Sequence, residues 1–226
     1  MSLKYNVVAL ESIDSAGKKT QAKLLGDCLD SLPSLFCSDT KEGKLCYRTS
    51  FPDYSTPIGK IIASKLKENW WVDESMSVSG TGEKELIIAK INALVLQSLM
   101  LTNKIEVIEE IDKAIRDCRW VVLDRYFASG LAYGAADGLD REWLRTIHSR
   151  LPMAIHVFID ITVDESFRRR PIREDAYESD RGLLERARNE YLELFSNPKT
   201  GGKWLIVDGM GTVSEVHERI KTVLGI

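Results

Sequence analysis

Apolar residues recur along the chain in short runs and in helical stripes, and the two patterns alternate from end to end. Val7 to Leu10 is a short apolar run of the kind a buried strand presents. Leu45 to Thr49, Trp120 to Leu123, Ala154 to Ile161 and Trp204 to Val207 predict four further strands. Between them the spacing turns helical. Leu24, Leu25, Cys28 and Leu29 follow the first run, and Ile58, Ile61, Ile62 and Leu66 share one face of a later helix. The stretch Glu83 to Cys118 contains no Gly or Pro and reads as helix almost throughout, its first half apolar on more than one side. Leu139 to Arg150, Leu183 to Phe195 and Val213 to Leu224 predict three more helices, and Leu32 to Lys44 and Asn69 to Gly82 read as loops. Such alternation predicts an α/β fold: a five-stranded parallel sheet with right-handed crossovers and helices on both faces.

Composition narrows the class. A chain of 226 residues suits a single domain spanning 1–226, with room for a small lid. Lys and Arg number 31 against 34 Asp and Glu, a net charge of −3, which argues against nucleic acid or an acidic membrane as a bulk-charge partner. No apolar run approaches the ~20 residues of a spanning helix, and no signal core precedes the first strand. Cys28, Cys37, Cys46 and Cys118 include no C-x-x-C pair. Reduced thiols and a cytoplasmic location are therefore expected. His148, His156 and His217 are isolated, and His156, in an apolar strand, reads as a satisfied core residue rather than a catalyst.

Candidate chemistry begins right after the first strand. Ser12-Ile13-Asp14-Ser15-Ala16-Gly17-Lys18-Lys19 lies between strand and helix, the context of a phosphate-binding loop. In such a loop backbone N–H groups and the helix N-terminus bind phosphate oxygens, and Lys18 would meet the β- and γ-phosphates. The match to G-x-x-x-x-G-K-[ST] departs twice. Ser12 replaces the first Gly, and Lys19 replaces the hydroxyl that would hold Mg²⁺; Thr20, one residue on, lies about 100° further round a helix. An ordinary strand–turn–helix remains the alternative. Phe51-Pro52-Asp53-Tyr54-Ser55-Thr56-Pro57 is a stiff loop at a strand end, suited either to face a base or simply to bury its aromatics. Asp124-Arg125-Tyr126 ends another strand, where Asp can hold Mg²⁺ or its waters and Arg can grip phosphate. The alternative there is an ion pair capping a helix. Ser129-Gly130-Leu131-Ala132-Tyr133-Gly134 suits close packing on a ligand. Arg168, Arg169, Arg170 and Arg173 read as a mobile cationic lid over about 168–178, or as a solvated charge run.

Taken in order, Ser12-Ile13-Asp14 through Thr20-Gln21, Phe51-Pro52, Asn103-Lys104, Asp124-Arg125-Tyr126 with Ser129-Gly130-Leu131-Ala132-Tyr133, and the Arg-rich stretch with Tyr177-Glu178 resemble the thymidylate kinases, a family of nucleoside monophosphate kinases with the P-loop kinase three-layer sandwich. The resemblance implies transfer of the γ-phosphoryl of ATP to dTMP, giving dTDP, with Mg²⁺, in a homodimer. It implies that Ser12, Ile13, Asp14, Ser15, Ala16, Gly17, Lys18, Lys19 and Thr20 surround the ATP phosphates. Asp14, Phe51, Met100, Lys104, Arg125, Ser129, Gly130, Tyr133 and Tyr177 would hold dTMP. Lys18, Asp14, Arg125, Arg170 and Arg173 would serve catalysis, with Asp124 near the metal through water. In this chain Tyr54 stands where the family often has the Arg of Phe-Pro-x-Arg, Lys104 where an Arg contacts thymine, Met100 where an aromatic stacks, and Ser15 where some members carry a loop Arg. The departures at Met100 and Lys104 leave room for another deoxynucleoside monophosphate. Ser12, Lys19 and Tyr54 together leave room for a non-catalytic nucleotide-binding relative.

Overall fold

The computed structural model describes residues 6–31, 46–68, 83–117, 119–172, 176–198 and 202–226. The loops expected over 32–44 and 69–82, together with Cys37, Cys118 and Arg173, lie outside the described residues.

The order of elements is β1 (Val7–Glu11), α1 (Lys18–Asp30), β2 (Cys46–Ser50), α2 (Pro57–Glu68), α3 (Glu83–Glu106), α4 (Ile108–Arg116), β3 (Trp120–Asp124), α5 (Phe127–Ala136), α6 (Arg141–His148), β4 (Ile155–Asp160), α7 (Val163–Arg169), α8 (Ala176–Ser179), α9 (Arg181–Ser196), β5 (Lys203–Asp208) and α10 (Val213–Leu224). All strand pairs are parallel, in the order β2-β3-β1-β4-β5. The central strands are the apolar ones. Every residue of β1 is buried, as are Trp120–Leu123 and Ile155–Ile159, while the edge strands β2 and β5 are mostly half-exposed. Continuous apolar runs are what a strand covered on both faces needs. Two helical groups cover the sheet: α1 with α10, and α3 with α5 and α9. Among the described residues no helix is long and apolar enough to cross a membrane.

The long helix expected from Glu83 onward is two helices. Buried Val107 leaves helical geometry at φ −104° and ψ 8°, and α4 restarts at Ile108 to pack Ile111 and Ala114 into the core beside β3. A straight continuation would carry those residues off the sheet. The break has no Gly or Pro to announce it, so periodicity alone runs through it.

Strand register sets the site. Leu10 lies opposite Asp124, and Asp124 opposite Ser50. The ladder extends past the strands: Arg125 N donates to Leu10 O at 2.9 Å, and Phe51 N donates to Asp124 O at 2.9 Å. Three segments distant in sequence therefore leave the same sheet edge side by side, at the C-terminal strand ends where open α/β sheets bind ligands.

Candidate active site

The loop after β1 is shaped by two residues in left-handed backbone geometry, Ser15 at φ 63° and Gly17 at φ 86°. Gly17 is the N-cap of α1 and supplies no side-chain bond, whereas α6, α7, α9 and α10 are capped by Asp140, Thr162, Asp180 and Thr212. The N–H groups of the first turn of α1 are thus not claimed by a cap, as an anion-binding helix start requires. Ser12, in place of glycine, fits because its hydroxyl has an acceptor: Oγ donates to Ile159 O at 2.5 Å, tying the loop to β4. Ser166 Oγ donates to Asp14 O at 2.7 Å and ties the loop to α7.

The two principal cations meet at one atom. Lys18 Nζ donates to Ile13 O at 2.7 Å and to Ser12 O at 3.3 Å; Arg125 Nη1 donates to that same Ser12 O at 3.0 Å. Burial pulls the Lys18 ammonium down to about 8, and Arg125 adds to the fall, against the pull of Asp14, Asp124 and Glu11. Arg125 is itself in left-handed geometry at φ 67°, pairs with Asp14 through Nη2, and lies 5.4 Å from the Tyr133 ring centroid. Asp14 also accepts from the Tyr133 hydroxyl at 2.9 Å. Burial alone would raise the Asp14 carboxyl; the charges of Arg125 and Lys18 outweigh it and hold it below its usual value. The reading of Asp124-Arg125 as a helix cap does not hold: Tyr126 is the N-cap of α5, with no side-chain bond, and Arg125 pairs with Asp14 instead. Asp124 keeps its carboxylate at the strand end, its pKa raised by burial in spite of Lys18 and Arg125.

Of the residues picked out from the sequence, Asp14, Ser15, Gly17, Lys18, Lys19, Phe51, Met100, Lys104, Asp124, Arg125, Ser129, Gly130, Tyr133, Arg170 and Tyr177 line one cleft of about 910 Å³. Ser12, Ile13 and Ala16 are buried, and Thr20 is exposed on α1 and does not line the cleft. Phe51 is buried and Tyr54 half-exposed, and both line the cleft. That loop is pinned by Asn103. Its Oδ1 accepts from Asp53 N at 2.7 Å, and its Nδ2 donates to Thr56 Oγ1 at 2.7 Å and Asp53 O at 3.1 Å. Lys104 is 2% exposed; it donates to Met100 O at 3.0 Å and lies 5.7 Å from the Phe51 ring centroid. Burial brings its ammonium down to about 8. Tyr177 donates to Asp137 at 3.1 Å, and Arg170 to Glu178 at 3.4 Å.

Sequence reasoning missed the role of two participants. Arg169, read as part of a cationic lid or a charge run, closes the last turn of α7, takes Glu165 at 2.7 Å, and donates to Gly209 O at 2.8 Å and Ala16 O at 3.4 Å, joining the loop after β1 to the end of β5. Glu11, the last residue of β1, is fully buried behind Arg125 and accepts from Ser129 Oγ at 2.6 Å; that hydroxyl is 2.8 Å from Tyr191 Oη and accepts from Arg125 at 3.4 Å. A carboxyl ending an otherwise apolar strand was the available signal. His156 is a core residue as expected, but among the described residues its ring nitrogens have no hydrogen-bond partner; Nδ1 lies 3.4 Å from Glu11 Oε1, and the ring stacks on Trp204 at 4.4 Å.

A family model described as thymidylate kinase matches residues 10–220. The chain belongs to the thymidylate kinase family. A probable thymidylate kinase of Pyrococcus abyssi is 33% identical over 94% of this chain and 92% of its own length. One of Thermococcus kodakarensis is 33% identical over 96% and 98%, and the Schizosaccharomyces pombe thymidylate kinase is 27% identical over 95% and 89%. The solved thymidylate kinase of Candida albicans has the same fold, with a TM-score of 0.68 at 22% identity, covering 97% of this chain and 88% of that one. In this thymidylate kinase family chain Asp14, Lys18, Lys19, Met100, Lys104, Asp124 and Arg125 line the cleft, and Ser12 is buried in the loop beside it.

Proposed function

We propose that this chain transfers the γ-phosphoryl group of ATP to dTMP, yielding dTDP for dTTP synthesis in the cytoplasm. One observation carries the reading: Lys18 and Arg125, from separate segments, converge on the Ser12 carbonyl, so both can reach one migrating phosphate. Phosphoryl transfer asks for positioning and charge stabilisation more than covalent chemistry. In this reading Lys18 leaves the loop carbonyls for the ATP phosphates as they settle on the N-terminus of α1. Arg125 keeps Asp14 and turns its remaining donors to the dTMP phosphate. Tyr133, held by Asp14, packs against the deoxyribose and crowds out a 2′-hydroxyl. Phe51 and Met100 border the base, Tyr177 covers it, and Arg170 approaches the transferring group, with Arg173 assigned there by resemblance. Lid closure over 168–178 excludes water that would waste ATP.

The family implies Mg²⁺. Among the described residues no three His, Cys, Asp or Glu side chains are grouped to hold an ion, and Asp124 is the carboxylate at the strand end beside Lys18. One carboxylate with waters and substrate phosphates is an ordinary Mg²⁺ donor set, so these residues fit a metal held mainly by nucleotide. When bound, Mg²⁺ would offset charge on the β- and γ-phosphates. A coupled ADP-release assay across nucleoside monophosphates tests the reading. Turnover is expected with dTMP and ATP and is expected to vanish with EDTA; binding of both nucleotides without turnover would sink it.

A homodimer belongs to the same proposal. Ile87, Ile91, Leu94 and Ile105 are all exposed along α3, at the spacing of one helical stripe. An apolar stripe of this kind suits a second copy of the same helix. Sedimentation is expected to give twice the chain mass, and Ile91→Glu to shift the protein toward monomer with its helical content kept. A monomeric wild-type protein at micromolar concentration would remove the dimer.

A further inference from the structure

The base end of the cleft contains a polar side chain that the nucleotide reading above leaves unused. Gln97 lines the cleft from α3, ahead of Met100 and Lys104, and is 3% exposed. Its Oε1 is buried and has no hydrogen-bond partner among the described residues. The space around it is made by two glycines on the facing helix α5. A Cβ on Gly134 would stand 3.4 Å from Gln97 Cγ, and one on Gly130 would stand 3.5 Å from Gln97 Oε1 and 2.6 Å from His148 Nε2. His148 adds a second acceptor to the same corner. Its Nδ1 lies 2.8 Å from the Leu144 carbonyl, which can only accept, so the ring proton sits on Nδ1 and Nε2 is a bare lone pair, also without a partner. Burial keeps this imidazole neutral, down to about 4. Two buried acceptors without a donor are costly. Of the two, Gln97 lines the cleft, so its Oε1 calls for a ligand that brings an N–H. Close by is the opposite group: Lys104 Nζ, a buried cation that donates to the Met100 carbonyl of its own helix.

We propose that Gln97 is a specificity-determining residue. Rotation of its carboxamide presents Oε1 to the N3–H of a thymine or uracil ring lying on Met100, while Lys104 donates to O4. Cytosine reverses both groups, presenting a lone pair at N3 and an amine at C4. A carboxamide can turn its Nε2–H₂ to the lone pair at N3, so the repulsion falls at Lys104, donor against donor, while Gln97 favours thymine because Oε1 is paired only when N3 carries a proton. His148, behind Gly130, backs the acceptor side and limits the depth of the pocket.

The inference rests on the dTMP reading, and calorimetric binding of dTMP and dCMP to the full chain tests it without requiring turnover. Gln97→Met keeps side-chain length and removes the acceptor. It is expected to weaken dTMP roughly tenfold or more, to leave dCMP unchanged or tighter, and, in the kinase assay, to raise KM for dTMP with kcat nearly kept. Gln97→Asn, which withdraws the acceptor while staying polar, is expected to give the same change in ratio and serves if the Met variant fails to fold. An unchanged dTMP-to-dCMP ratio in a folded variant, or a wild-type protein that binds dCMP as tightly as dTMP, would overturn the assignment. A wild-type protein that selects dTMP through Gln97 yet transfers no phosphate would leave this inference standing and defeat the kinase reading alone.

Discussion

Arg125→Ala is expected to lower kcat/KM for dTMP by about 10³ or more, the scale of losing an arginine that stabilises a phosphoryl group in flight. The side chain is fixed before substrate arrives. It donates to Ser12 O at 3.0 Å and Ser129 Oγ at 3.4 Å, pairs with Asp14, and rests near the face of Tyr133. Its loss also leaves Asp14 without its nearest cation. Breaking a buried pair in this way costs about 3 kcal/mol, reduced here because Lys18 and the Tyr133 hydroxyl still face the carboxylate. A second variant separates the side chain from its backbone. Arg125 is held at φ 67°, a geometry that glycine adopts freely. Arg125→Gly is therefore expected to be as inactive as Arg125→Ala but about 1 kcal/mol more stable. Steady-state kinetics with urea unfolding reads both effects. Alanine and glycine variants with near-normal turnover would remove Arg125 from the phosphate site; equal stabilities would show that the left-handed backbone costs nothing.

Lys18→Met is expected to cost turnover on a similar scale, and the wild-type lysine should leave a mark on the pH profile. In the free protein its ammonium titrates at about 8, lowered by burial and by Arg125. The charged form is the one that binds phosphate, so kcat/KM for ATP is expected to fall as pH rises through about 8, while kcat stays level because bound phosphate restores the proton. Stability takes the opposite sign. The folded value lies below the ordinary lysine value of 10.5, so the unfolded chain binds more protons between about 8 and 10.5, and this residue makes the fold more stable as pH rises through that window. Lys104 also titrates at about 8, and a parallel fall in kcat/KM for dTMP is expected from it. Lys104→Arg should move the dTMP limb to higher pH and leave the ATP limb in place. A flat ATP profile to pH 9.5 in the wild-type protein would deny Lys18 the phosphate contact.

The strands and the loop after β1 were legible because each is local. An apolar run long enough to cross a sheet, then Asp14-Ser15-Ala16-Gly17-Lys18, then an amphipathic turn, needs no distant partner to be read. Asp124-Arg125 was legible as a strand-end pair, yet its partner was not: Arg125 reaches back to Asp14, a contact that exists only because Leu10 and Asp124 share a rung of the sheet. The same distance hid the Ser12 hydroxyl bond to Ile159, the Glu11–Ser129 contact and the Arg169 bridge to Ala16 and Gly209. Hydrophobic periodicity reports that a residue is buried and says nothing about what it faces. For that reason His156 was placed in the core correctly while its neighbour Glu11 went unseen, and Gln97 passed as one polar residue in a long helix.

The order of the strands, the glycine-and-lysine loop after the first of them and the identity of the charged groups follow from the amino-acid order alone, since each is written in neighbouring residues and their chemistry. Tertiary structure decided the rest. It set the 2-3-1-4-5 arrangement of strands, the bend at Val107 that turns α4 onto the sheet, and the convergence of Lys18 and Arg125 on one carbonyl oxygen. The reason is geometric: parallel strands joined by long crossovers bring their C-terminal ends together at a rung fixed by backbone hydrogen bonds, and side chains from far-apart segments become neighbours only once that register exists.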